Sequence, residues 1–127
     1  MPIDPKEDIV RAICTESFDN ERLSSSLFKG ENTSVSRLAI IPLKEHWEMF
    51  RKHVAKPPQR QLLMIGEINV LRLQELGKTH ETPHALTVEP RPEDWNPAHA
   101  EIPQKISRGL ANKINSALKL HHPPNSA

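Results

Sequence analysis

Twelve prolines in 127 residues are the strongest limit on what this chain can form, because each removes a backbone donor and is excluded from helix interiors and central strands. They cut the chain into short elements joined by irregular connections. Between Pro42 and the Pro57, Pro58 pair lies the clearest element. There Leu43, Trp47, Phe50 and Val54 recur at spacings of four, three and four, which is one face of an α-helix. The run Gln-Leu-Leu-Met-Ile at 61–65 is continuously apolar and reads as a buried central strand ended by Gly66. Residues 67–76, with Ile68, Leu71 and Leu76 apolar, predict a short helix capped by Gly77.

The remaining elements follow from local signals. Asp-Pro-Lys-Glu at 4–7 has an N-cap aspartate, a proline at the first helical position and a capping-box glutamate. It predicts a helix ending near Ser17 that buries Ile9, Val10, Ile13 and Cys14, with a turn at Asp19 and Asn20. Segment 22–28 suits a short strand or a surface turn, 29–33 a loop, and the β-branched run 34–41 a strand closed by Pro42. Segments 84–88 and 98–102 suit an antiparallel pair joined by the proline-bracketed loop 89–97. A terminal helix starts at Pro103 and buries Ile106, Leu110, Ile114 and Leu118. The expected fold is α+β, a small sheet with three or four helices packed on it in one domain over 1–120. Residues 121–127 are expected to form a disordered polar tail.

Composition removes several function classes. With 17 basic and 16 acidic residues the formal charge is only +1, so no global field draws nucleic acid or an anionic membrane. Cys14 is the single cysteine; it has no disulfide partner and no second thiolate for a zinc site, and it reads as a core thiol. The chain has no apolar run long enough to span a bilayer and no secretion-signal pattern, so no membrane association and a cytoplasmic location are expected. Its few glycines make no phosphate loop, and Ser24, Ser25 and Ser26 lie in no nucleophile elbow.

The densest concentration of chemistry is segment 80–102. His80 and His84 have the spacing of a helical metal pair, but Pro83 forbids the helix and the His-Glu-x-x-His order is absent. No metal site and no cofactor are expected. The Asn-Pro-Ala-His sequence at 96–99 is different, because asparagine before proline favours a turn that fixes how His99 leaves the backbone. His99 is therefore the candidate base, with Arg22 and Ser25 as partners if the three converge. Arg11 and Arg37 would extend that set into a nucleotide or phosphate pocket. The acidic loop offers Glu93, Asp94 and Trp95 as contact residues, Trp95 being the interface anchor if exposed. The terminal helix offers Lys105, Arg108 and Lys113, with no acid after Pro103.

Arg-Leu-Ser-Ser-Ser-Leu-Phe at 22–28, Ser-Val-Ser-Arg at 34–37 and Asn-Pro-Ala-His-Ala at 96–100 together resemble a small bacterial family of uncharacterised proteins with such segments in this order. The resemblance brings no activity with it. It implies only that Ser25, Phe28, Ser34 and His99 are worth examining together. Three functions stand as expectations: an accessory protein binding a protein partner through the acidic loop or the terminal helix, without catalysis; an enzyme or nucleotide-handling domain using His99 with Arg22 and Ser25; and nucleic-acid binding through the basic helix.

Overall fold

The computed structural model describes residues 2–19 and 22–123. Its frame is a six-stranded antiparallel sheet in the order β6-β7-β4-β1-β5-β8. The strands are β1 (Asp8–Cys14), β4 (Thr33–Arg37), β5 (Leu62–Asn69), β6 (Glu89–Pro90), β7 (His99–Ile102) and β8 (Lys119–His121). A separate ribbon pairs β2 (Phe18–Asp19) with β3 (Arg22–Leu23). Helices α2 (Val70–Thr79) and α3 (Arg108–Ala117) complete the main core, and α1 (Leu43–His53) forms a second, smaller one. The fold is thus α+β, as the sequence implied.

Alternation along the central strands separates the two cores. Ile9, Ile13, Val35, Met64 and Ile68 pack with Leu73, Leu110 and Ile114 of α2 and α3. Val10 and Ile65, from the opposite parity, pack with Trp47 and Phe50 of α1. A sheet covered on both faces needs apolar residues at both parities, and this explains the principal correction. The expected N-terminal helix is instead the central strand β1, paired with β5 from Asp8↔Asn69 to Cys14↔Leu62. The Asp4 signal is spent on a turn, its carboxylate accepting from Lys6 N at 2.9 Å and its carbonyl from Glu7 N at 3.0 Å. Cys14 is buried, as a core thiol should be.

Other boundaries move for similar reasons. Gly66 does not end its strand; β5 continues to Asn69, and a Cβ at Gly66 would lie 2.9 Å from the Leu118 side chain. The next helix starts only at Val70, where the Asn69 side chain accepts from Leu71 N at 3.0 Å. Leu71 is therefore exposed and Leu73 buried. Gly77 lies inside α2, not at its cap, because the backbone of His84 crosses there and donates its N–H to the Gly77 carbonyl at 2.9 Å. Segment 84–88 makes no strand, although Leu86 and Val88 enter the core; β7 pairs with β4 and β6 instead.

α3 begins at Arg108, where Ser107 caps it by accepting from Leu110 N at 3.3 Å; Ile106 pairs with Gly30 before the helix starts. The expected tail begins too early as well. His121 belongs to β8, opposite Ile65, and its Nε2 lies 2.7 Å from Glu67 Oε1. Asn20, half of the expected turn, and residues 124–127 of the tail lie outside the described residues.

Candidate functional site

β1 and β4 are paired only at Ile9↔Arg37 and Val10↔Ser36, whereas β4 stays paired with β7 from Thr33 to Ser36. Beyond Val10 the two neighbours diverge, and strand carbonyls lose their ladder partners. Arg11 bridges the gap: one terminal nitrogen donates to the β4 carbonyl of Ser34 at 2.7 Å, and Nε donates to Leu27 O, in the turn before β4, at 2.6 Å. The guanidinium also sits 5.9 Å from the centre of the Phe28 ring. Burial pushes the Arg11 guanidinium below its usual range, while Cys14 and Glu16 pull it back, and arginine stays a cation under such shifts.

The divergence opens a cleft of about 270 Å³. Its base is apolar, from Val10, Ala12, Phe50 and Val54, and its polar wall includes Ser34, Ser36, Asn96 and His99. Glu93 and Trp95 border it on the loop side, while Arg60 and Glu16, joined at 2.9 Å, border it on the other. Cys14 also contributes to the wall. Desolvation raises its thiol above the usual value against the opposing pull of Arg60 and Arg11, so it is a poor nucleophile.

Under the polar wall lies a buried hydrogen-bonded chain. Ser36, His46 and Asn96 are exposed by only 2%, 0% and 1%. Asn96 Nδ2 donates to Ser36 Oγ at 3.1 Å, and Ser36 Oγ lies 2.6 Å from His46 Nε2. Since His46 Nδ1 faces the Pro42 carbonyl at 3.2 Å, the consistent tautomer carries its proton on Nδ1 and accepts the Ser36 hydroxyl proton at Nε2. Desolvation depresses the His46 imidazole, opposed by the Pro42 and Ile41 backbone, which favours the neutral ring this chain of bonds requires.

The same asparagine builds the turn that aims His99. Asn96 Oδ1 accepts from Ala98 N at 2.9 Å, and Asn96 and Glu93 exchange two backbone bonds of 2.9 Å each. His99 Nδ1 lies 2.7 Å from the Arg91 carbonyl, and Nε2 lies 3.1 Å from Glu93 Oε1. Both ring nitrogens thus face oxygen acceptors, and a proton on Nε2 has Glu93 as its immediate carboxylate partner. Glu93 Oε2 meanwhile accepts from the Trp95 indole N–H at 3.1 Å, and that indole stacks on His53 at 5.0 Å.

The structure brings together some of the expected site residues and separates others. His99, Glu93, Trp95 and Ser34 share the cleft, with Phe28 beneath Arg11. Arg22 and Ser25 line a different cleft together with Arg108, and Arg37 is held bidentate by Glu7 at 2.8 and 2.7 Å. Trp95 is half-buried rather than displayed, its edge and face both engaged. Asp94, Lys105 and Lys113 are exposed. His80 and His84 stack at 6.0 Å, and among the described residues no group of three or more His, Cys, Asp or Glu is placed for a metal. No helix among them is long and apolar enough to cross a membrane.

Ser36 and His46 were missing from the expected site. His46 lies three residues after Leu43 and four before Phe50, so the α1 apolar period itself carries it onto the buried face. Comparisons with family models, with curated proteins and with solved structures found no match.

Proposed function

We propose that this protein binds a small polar molecule in the β1–β4 cleft and that His99, coupled to Glu93, donates or accepts a proton there. The observation that carries the reading is the convergence of Ser34 with Glu93 and His99, from two distant segments, on one cavity with an apolar base, the buried Ser36–Asn96 bond holding the two segments together. An apolar floor with a few oriented polar groups is the usual form of a ligand site, and at about 270 Å³ this cleft is just below the ~300–1,000 Å³ range of such pockets, which suits a small ligand. General acid–base work needs a histidine whose ring is fixed through one nitrogen while the other meets the reacting group. Arg91 O provides the fixing contact for His99, and Nε2, which rests on Glu93 in the structure, exchanges that carboxylate for the ligand. The acidic-loop form of the accessory-protein reading takes Trp95 as a displayed anchor, and the engagement of that side chain with His53 and Glu93 supports the cleft over that form.

Ligand-observed NMR against a panel of nucleosides, amino acids and hydroxy acids tests this. At least one class is expected to bind wild type and to lose binding in Ser34→Phe, which fills the cleft from an exposed strand position. His99→Gln is expected to weaken binding of the same class. If no compound binds, or if the binders are indifferent to Ser34→Phe, the reading is wrong.

A further inference from the structure

Four charged side chains line the β1–β4 cleft: Arg11, Glu16, Arg60 and Glu93. Three of them have charged or polar side-chain partners. Glu16 and Arg60 hold each other at 2.9 Å, and Glu93 is divided between His99 and the Trp95 indole at 3.1 Å each. Arg11 is the exception. Among the described residues it makes no ion pair, and its two hydrogen bonds end on neutral backbone carbonyls. The pull of Glu16 reaches it through space, but that carboxylate is committed to Arg60.

A half-buried cation without a counter-charge is costly, since desolvation removes what water supplied and neutral dipoles return only part of it. This charge also remains accessible. Nε and Nη1 are spent on Leu27 O and Ser34 O, whereas Nη2 has no acceptor among the described residues and is not sealed from solvent. Ser34, exposed on the same cleft, adds a hydroxyl beside it. Glu101, opposite Ser34 in the sheet, faces Arg91 at 3.6 Å and does not line the cleft. The unmet requirement beside Ser34 is therefore an anion with more than one acceptor oxygen.

Charge and distance narrow the class. With one unpaired cation, and Glu93 bordering the same cavity, a phosphate dianion would bring a second charge that no group here meets. A carboxylate brings one charge and two oxygens, the usual partner of a guanidinium. His99 lies opposite Ser36, two residues along β4 from Ser34, which is about 7 Å of strand. A short molecule can therefore reach from one to the other. We propose that the ligand of this cleft is a small hydroxycarboxylate, its carboxylate taken by Arg11 Nη2 and the Ser34 hydroxyl and its own hydroxyl turned to His99. This assignment rests on the β1–β4 cleft being the binding site and names the class of molecule it takes.

Isothermal titration of the full chain with glycolate, lactate and 3-hydroxybutyrate, each against its neutral amide, tests the proposal. At least one acid is expected to bind about tenfold more tightly than its amide, the gain of a charge-assisted over a neutral hydrogen bond. Arg11→Gln should bring that ratio close to one. Ser34→Asp, at an exposed strand position, sets a fixed carboxylate beside Arg11 and should leave the acid no tighter than the amide; it carries the test alone if Arg11→Gln does not fold. Failure of all three acids to bind, equal binding of acids and amides by wild type, or an acid preference that survives either variant would overturn the assignment. If nucleosides or other uncharged compounds still bind in a manner sensitive to Ser34→Phe, only this inference falls; if nothing does, the cleft falls with it as the binding site.

Discussion

Replacing Ser36 by alanine removes one hydroxyl and strands two buried groups. In the wild type Ser36 Oγ accepts from Asn96 Nδ2 at 3.1 Å and donates to His46 Nε2 at 2.6 Å. With all three residues sealed from water, neither orphaned group has solvent to turn to. An unsatisfied buried polar group costs about 1–3 kcal/mol, so two predict a loss of roughly 2–5 kcal/mol after partial relaxation. Ser34→Ala is the internal control. That position is two residues along on the same strand face but exposed, and it should change stability by no more than about 0.5 kcal/mol. Urea unfolding followed by tryptophan fluorescence, with the slope m unchanged, gives both numbers. Combining Ser36→Ala with His46→Leu should cost less than the sum of the single changes, because the partners share one chain of bonds. If Ser36→Ala costs less than about 1 kcal/mol, or the double change is strictly additive, the buried chain does not hold the site as described.

Three further outcomes follow from the same geometry. Alanine at Gly77 would gain up to about 1 kcal/mol of helix propensity, yet its Cβ would lie 2.5 Å from the His84 carbonyl oxygen. Gly77→Ala should therefore lower Tm, and a higher Tm would contradict the close crossing. His46 is depressed below its ordinary value of 6.5 by burial. Its contribution is fully present above that unfolded value and is lost as pH falls below it toward the folded value, because the unfolded chain takes up the proton first. Between pH 7 and 5.5 wild type should thus lose stability more steeply than His46→Gln, by up to about 1.4 kcal/mol per pH unit; parallel curves would reject the assignment. Arg11→Leu should destabilise by roughly 1–2 kcal/mol, chiefly through the part-buried Leu27 carbonyl since the bond to Ser34 O is exposed, and a near-neutral chemical denaturation curve would show that water takes over its role.

The legible parts of the fold were those whose pattern admits one period. Leu43, Trp47 and Phe50 can only be a helix face, and α1 formed where they place it. Ile9, Val10 and Ile13 admit both readings: a helix stripe, or a strand buried on both faces. Because helices cover both sides of β1, the strand prevails, and no local signal distinguishes that outcome. Segment 84–88 had the β composition but found no ladder, since its backbone crosses α2 at Gly77. At the site, Asn96 and His99 were legible because turn chemistry is local. Their partners were not, since Ser36 and His46 meet Asn96 only through tertiary packing of β4, α1 and the loop before β7. Arg22 and Ser25 showed the converse: the right chemical types in the sequence, placed in a cleft away from His99.

The central claim is that His99 faces a ligand in the β1–β4 cleft, and imidazole and indole NMR signals report it directly. Titrating the full chain with the best binder from the panel should shift the His99 ring nitrogens and the Trp95 indole N–H together, while His80, His84 and His121 stay in place. Movement confined to those three distant histidines, with His99 and Trp95 unchanged, would show that the cleft is not the binding site.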